Sequence, residues 1–253
     1  VSSAGGEASS AGLPLSRKDS GYCAAAGHGR LPTPYYERDG ITIYHGDCRD
    51  ILPLLGPVDA CLTSPPYNAR KEYKCDRWPT WADYYSFLRS VYSLTQARVQ
   101  AWLLPFAMND EDSGNIRATW AECGIPWKRL RLVLRHPSVD DSKSLIAMPP
   151  RVEILCLDEW TEENGPKIWY VPHGKFAAGK PGLNVGHPAT FHERLVVEFL
   201  RMYPSITSLI DPFLGTGTVT WIAKKLGRRA IGIEIEERYC EIAVKRLAQE
   251  VLL

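Results

Sequence analysis

The chain has 253 residues and a mass of 28.4 kDa, enough for one large domain or two small ones at roughly 100 to 200 residues per domain. With 45% hydrophobic and 23% charged residues, it is neither a disordered nor a fibrous chain. Lys and Arg number 30 against 29 Asp and Glu, so there is no overall electrostatic footprint for nucleic acid, and any polyanion site has to be a local patch. No apolar run approaches the ~18 residues that cross a bilayer, and the N-terminus lacks the basic region and apolar stretch of a secretory signal. A soluble, intracellular protein with no membrane partner is expected. The seven cysteines include no Cys-x-x-Cys pair, so neither a disulfide framework nor a metal site is expected.

Residues 1–30 are rich in Ala, Gly and Ser without apolar periodicity and read as a flexible leader, leaving 31–253 as a single domain. Residues 41–44 form a short β-rich run, 50–55 a helical turn or two, and 58–63 a second apolar strand. Strand, helix, strand points to a parallel sheet. Between Trp81 and Val99 the apolar positions Tyr84, Tyr85, Leu88, Val91, Tyr92 and Leu94 fall at helical spacing, with a buried strand expected over 101–106. A helix is expected over 109–122. Residues 129–135 alternate at period two, with Leu130, Leu132 and Leu134 on one face and arginines on the other. Residues 152–157 are a further strand, and 158–186 are mostly loop with a short strand signal at 168–171. Helices over 191–203, 218–226 and 236–253, and strands over 208–211 and 230–234, complete the chain. The alternation predicts an α/β, Rossmann-like, doubly wound and mostly parallel sheet.

Asp211-Pro212-Phe213-Leu214-Gly215-Thr216-Gly217-Thr218 stands between a strand and a helix. Glycines there let backbone approach a ligand, and the helix N-terminus offers unpaired amides. Glu234 ends the next strand, 17 residues after Gly217, placed to accept hydrogen bonds from both hydroxyls of a ribose. The dinucleotide fingerprint needs a third glycine where Thr220 stands, which weakens NAD or FAD as the ligand.

Thr63-Ser64-Pro65-Pro66-Tyr67 follows the apolar strand 58–62, placing it at the carboxyl edge of the sheet, where open α/β folds bind ligands. Neither proline donates a backbone N–H, so carbonyl oxygens are left facing outward beside the Ser64 hydroxyl and the Tyr67 ring. A stiff, acceptor-rich turn next to an aromatic plate suits a planar group bearing an NH2.

Together these motifs resemble the amino-directed DNA methyltransferases that use S-adenosylmethionine, in the β arrangement in which the catalytic motif precedes the cofactor motif. The matching segments span roughly 41 to 250 in the family order. The resemblance implies that Ser64, Pro65, Pro66 and Tyr67 are catalytic. It implies a cofactor site in which Asp47 and Cys48 reach the adenine, Glu234 holds the ribose, Thr190 and Phe191 contact the methionine end, and Asp211, Pro212, Phe213, Gly215, Gly217 and Thr218 form the central turn. Ser-Pro-Pro-Tyr usually accompanies methylation of cytosine N4 in this family, and Asp or Asn in the first position that of adenine N6. Here the position is Ser64, which tilts the choice to cytosine while adenine stays open. The Ser64 hydroxyl and Pro65 carbonyl would grip the amine hydrogens, and Tyr67 would stack on a base flipped out of the duplex. No cysteine nucleophile is required, and the chain contains no Pro-Cys pair.

The implied partner is double-stranded DNA. Arg70, Lys71, Lys74 and Arg77 beside the catalytic turn are candidate phosphate contacts, as are Arg129 and Arg131 on one strand face. Only about 30 residues separate the strand ending at Leu157 from His187, too few for an independent recognition domain, so residues 158–186 are the candidate for a reduced recognition segment. Arg135 and His136 stand where relatives often place an aromatic ring. The resemblance further implies a cytoplasmic enzyme encoded by a bacterium, archaeon or phage, with a separately encoded restriction nuclease and a homodimer as candidate partners. From other classes, an inactive nucleic-acid-binding relative and a nucleotide-binding oxidoreductase remain as alternatives.

Overall fold

The computed structural model describes residues 29–68, 78–105, 108–110, 115–135, 151–157, 168–171 and 192–249, with the backbone alone at 108–110, 115–116, 129, 131–135, 151–157 and 168–171. In chain order the elements are β1 (Tyr36–Arg38), β2 (Ile41–His45), α1 (Cys48–Ile51) running into a 3-10 turn (Leu52–Leu54), β3 (Val58–Thr63), α2 (Trp81–Leu94), β4 (Ala97–Pro105), β5 (Met108–Asp110), β6 (Asn115–Arg117), α3 (Thr119–Glu122), β7 (Arg129–Arg135), β8 (Arg151–Leu157), β9 (Ile168–Val171), α4 (Glu193–Met202), β10 (Ser208–Asp211), α5 (Thr218–Lys225), β11 (Arg229–Glu234) and α6 (Glu237–Leu247).

Among the described residues nine strands form one sheet in the order β1-β2-β11-β10-β3-β4-β8-β7-β9, and β5 and β6 form a separate hairpin. Five neighbouring pairs are parallel and three antiparallel. From β10 the chain winds one way through β11 toward β2, and from β3 the other way to β4. The order therefore reverses between β10 and β3, and the crevice beyond that point is where open α/β sheets bind ligands.

Period-two alternation sends neighbouring strand residues to opposite faces, and each face has its own core. Ile41, Ile43, Ala60, Leu62, Val99, Ala101 and Leu103 meet α4, α5 and α6 through Leu195, Phe199, Val219, Cys240 and Ala243. Tyr44, Cys61, Trp102, Leu104, Ile210 and Ile233 meet α1 and α2 through Ile51, Tyr84, Leu88 and Val91. The α2 start is fixed by a capping box: Asp83 N donates to Thr80 Oγ1 at 3.1 Å, and Thr80 N donates to Asp83 Oδ2 at 3.1 Å.

The doubly wound sheet agrees with the sequence reading, but three elements differ. The helix from Trp81 stops at Leu94, where Thr95 Oγ1 turns back to the Val91 carbonyl at 2.7 Å, and Val99 belongs to β4, alternating with Ala101 and Leu103 onto one face. The helix expected over 109–122 is instead β5, β6 and a single helical turn, because Asn109 to Asn115 is built of Asn, Asp, Glu, Ser and Gly, mostly turn formers. Strand β1 pairs antiparallel with β2 at the sheet edge and is too short to leave a periodic signal. Residues 1–28 of the expected leader, and nearly all of segment 158–186 apart from β9, lie outside the described residues.

Gly217 caps α5 in the left-handed region at φ +76 and lies against α6, where an added Cβ would stand 2.8 Å from Ala243 Cβ and 3.2 Å from its Cα. Gly217→Ala is expected to cost about 2 to 5 kcal/mol, combining a left-handed penalty of about 1–2 with overpacking of about 1–3; urea unfolding measures it, and a loss under about 0.5 kcal/mol would show that α5 and α6 separate freely.

Candidate active site

Strands β2, β11, β10 and β3 are consecutive neighbours, so their carboxyl ends bring Asp47, Glu234, Asp211 and Ser64 to one edge. Strands β3 and β10 are fastened at both ends. At the amino end Asp59 Oδ2 accepts from Thr207 N at 2.7 Å and Ser208 N at 3.0 Å, and these donors hold its carboxyl down at about 2. At the carboxyl end Thr63 Oγ1 donates to Asp211 Oδ1 at 2.6 Å, with both side chains buried. Asp211 Oδ1 also accepts from Phe213 N at 3.1 Å. Burial outweighs these two donors and, with Glu234 nearby, pushes the Asp211 carboxyl up to about 7.

The glycine turn is a scaffold of backbone bonds. Leu214 N donates to Ile233 O at 2.9 Å and Gly217 N to Leu214 O at 2.9 Å, and Gly232 leaves the room on β11 that Leu214 fills. Glu234, also raised by burial, accepts Gly215 N on Oε2 at 2.8 Å and Glu236 N on Oε1 at 2.9 Å. On the outer side Arg246 of α6 donates to Thr218 Oγ1 at 3.0 Å and pairs with Glu193 at the start of α4. Asp47 caps α1, accepting from Arg49 N at 2.9 Å, and binds the Arg49 guanidinium through both oxygens. Cys48 beside it is buried, and burial drives its thiol far up, so it is an apolar wall rather than a nucleophile.

The Ser-Pro-Pro-Tyr turn leaves β3 as irregular backbone. Ser64 Oγ and Tyr67 Oη are 2.8 Å apart, and Tyr67 Oη donates to Leu103 O at 3.4 Å. Tyr84 of α2 donates its hydroxyl to the Pro66 carbonyl at 2.9 Å. Phe213 lies 5.8 Å from Phe87 and 6.3 Å from Trp102 between ring centres, so aromatic packing continues from the glycine turn to α2 and β4.

The structure thus brings together Asp47, Cys48, the Ser64 turn, the Asp211–Thr218 turn and Glu234. Thr190, Phe191, Arg70, Lys71, Lys74 and Arg77 lie outside the described residues. Arg129 and Arg131 are on β7, three strands from β3. Following the registers from Thr63 to Trp102, Cys156 and Leu130 puts Arg131 level with Ser64, and Arg129 on the core side of that level. Thr63, Tyr84, Arg49 and Arg246 enter the site without having been singled out in the sequence. Thr63 stands inside the Thr-Ser-Pro-Pro-Tyr motif, whereas the other three leave no signal beyond helical spacing.

A family model described as DNA methylase matches residues 135–245. The type II methyltransferase M.HpaI of Haemophilus parainfluenzae is 45% identical over 219 residues, covering 76% of this chain and 69% of that protein. The chain belongs to the amino-directed, N4/N6 family of DNA methyltransferases. The type II methyltransferase M.ScaI of Streptomyces caespitosus is 28% identical over 262 residues, 87% of this chain and 85% of the relative. In fold, the chain is similar to the PvuII DNA methyltransferase (cytosine-N4-specific), with a TM-score of 0.63 at 15% identity over 89% of this chain and 90% of that one. It is also similar to the M1.HpyAVI–SAM complex, with a TM-score of 0.54 at 19% identity over 83% of this chain and 100% of that one. Among the described residues no helix is long and apolar enough to cross a membrane, and no group of three His, Cys, Asp or Glu side chains is placed to hold a metal.

A DNA methyltransferase with this edge carries a stability cost at Asp211. Its carboxyl is raised in the folded state from 3.8 to about 7, so the folded chain binds the extra proton between those values. The associated stability is complete below about 4 and is lost as pH rises through about 7. Asp211→Asn, which keeps an acceptor for Thr63 and Phe213, is expected to flatten that decline and to stabilise the ligand-free protein at pH 8 by on the order of 2 to 4 kcal/mol, at about 1.4 kcal/mol per tenfold. Urea unfolding at pH 5, 6, 7 and 8 checks it; parallel wild-type and variant curves would overturn the assignment.

Proposed function

We propose that this DNA methyltransferase transfers a methyl group from S-adenosylmethionine to the exocyclic N4 of cytosine in double-stranded DNA, without a covalent enzyme intermediate. The observation that carries the proposal is the Thr63–Asp211 bond. It fastens a Ser-Pro-Pro-Tyr turn to the end of the strand that bears the glycine turn, so that a base amine held by one lies beside a donor held by the other.

The residues fit this cofactor. Each Glu234 oxygen already accepts one backbone N–H and keeps lone pairs for the two ribose hydroxyls. Asp211, near neutrality through burial, gains a counter-charge from a cationic ligand. Pro212, Phe213, Gly215, Gly217 and Thr218 form the wall and floor, Asp47 and Cys48 close the adenine end, and Thr190 and Phe191 the methionine end. S-adenosylmethionine, when bound, supplies a methyl group activated by its sulfonium charge.

The chain's own residues prepare the amine. In a base the exocyclic nitrogen lone pair is drawn into the ring; acceptors on its hydrogens, here the Ser64 hydroxyl and the Pro65 carbonyl, return density to the nitrogen and stabilise the charge that develops there. Holding both reactants at one sheet edge supplies much of the rate through positioning. Tyr67 stacks on the flipped base, and Arg70, Lys71, Lys74, Arg77, Arg129 and Arg131 grip phosphates. Cytosine is favoured over adenine by Ser64. Residues 158–186 read the site, a separately encoded nuclease shares it, and the working compartment is the cytoplasm.

The decisive experiment incubates the purified protein with mixed-sequence duplex DNA and S-adenosylmethionine, digests the DNA to nucleosides and analyses them by mass spectrometry. N4-methylcytosine is expected. N6-methyladenine would overturn the reading of Ser64, and no methylated base would overturn the function. Ser64→Ala is expected to retain cofactor stabilisation of about 2.7 kcal/mol at a hundred times Kd and to lose about 10²- to 10³-fold in kcat; turnover at the wild-type rate would remove Ser64 from the mechanism.

A further inference from the structure

The catalytic turn carries two consecutive proline carbonyls, and they are not equivalent. The Pro66 carbonyl accepts the Tyr84 hydroxyl at 2.9 Å. Among the described residues no group donates to the Pro65 carbonyl. Tyr84 is fully buried and its ring is clamped by Trp78 at 5.0 Å, Tyr85 at 5.7 Å and Trp81 at 5.8 Å between centres. The capping box that starts α2 lies one turn away. The hydroxyl is therefore delivered from a rigid base.

Stereochemistry carries that rigidity along the turn. Proline fixes φ near −65°, and a residue that precedes proline is confined to extended conformations. With φ of Pro66 fixed by its ring, the torsion left free between the two carbonyls is ψ of Pro66, and the Tyr84 hydroxyl that pins the Pro66 carbonyl fixes it and with it the direction of the Pro65 carbonyl. Ser64 is set on the same principle: its Oγ lies 2.8 Å from Tyr67 Oη, which reaches Leu103 O. A phenol has one hydrogen. Given to Leu103 O, it obliges Ser64 to donate to Tyr67 and leaves a serine lone pair for an incoming N–H.

We propose that Tyr84 is a positioning residue for methyl transfer: by occupying the Pro66 carbonyl and anchoring it to α2, it leaves the Pro65 carbonyl aimed at the target amine. The proposal rests on the function given above and adds a residue that touches neither base nor cofactor. Packing alone needs only the ring of Tyr84. Its hydroxyl decides which of two adjacent acceptors the substrate meets.

The test is Tyr84→Phe in the full chain, which keeps the ring wall. Single-turnover transfer to the DNA that wild type methylates is expected to slow about ten- to a hundred-fold, with the Kd for S-adenosylmethionine and the KM for DNA within about twofold of wild type. A purely structural hydroxyl would lower the melting temperature and leave the transfer rate per folded molecule unchanged. That result, or a loss confined to cofactor affinity, overturns the proposal. Should the phenylalanine variant not fold, a fluorinated tyrosine at position 84 alone retains the shape with a more acidic phenol. Transfer by this variant is expected to fall at high pH, where the phenolate no longer donates, and a wild-type pH profile would count against the role. Absence of transfer by wild type itself sinks the functional proposal, whereas wild-type turnover matched by Tyr84→Phe sinks this inference alone.

Discussion

The hydrogen bond from Thr63 to Asp211 joins two segments 148 residues apart in sequence, and the edge of the sheet is organised around it. It forms where the strand order reverses, so each partner ends a strand whose following segment bends away from the other. On one side the chain enters the Ser-Pro-Pro turn, and on the other the glycine turn. Loss of that contact would let the two turns move apart, although each retains its own local bonds: Ser64 with Tyr67, and Gly215 with Glu234.

The same pair of strands holds two aspartates in opposite states. Asp59 meets backbone and hydroxyl donors at a partly open edge and stays ionised down to about 2, where it ties strands together. Asp211 is enclosed and held near neutrality at about 7. The difference lies in desolvation, since both accept hydrogen bonds from neighbouring backbone. A fold seeking stability alone would place an amide or an apolar residue at position 211. The buried carboxylate at position 211 is a cost that the rest of the structure bears.

Much of this was legible in the sequence. The strands that make the parallel centre, the glycine turn and the final helices all have clean period-two or helical spacing, because each buries a single well-defined face. Strands β5 and β6, in place of the helix expected over 109–122, were not legible, because Asn109 to Asn115 carries no apolar alternation to announce a strand. Lateral neighbours were not legible. Nothing in the chain order says that β10 inserts beside β3, so the partner of Thr63 stayed hidden. Tyr84 was hidden for a different reason: its spacing marks it as core, which is true of its ring, and spacing carries no information about where a hydroxyl points.

The position of β10 and β11 also bears on how the chain assembles. Among the described residues they follow every other strand in the chain, yet they sit inside the sheet, between β2 and β3. During synthesis β2 and β3 leave the ribosome before β10 and β11, each with an open edge, and those edges close only when the later strands arrive. Unpaired strand edges are templates for other chains, and long-range pairings form slowly because loop closure precedes any reward. The segment carrying β2 and β3 is therefore the part that most needs shielding from its own copies, and the arrival of β10 and β11 converts two exposed seams into the interior of the sheet.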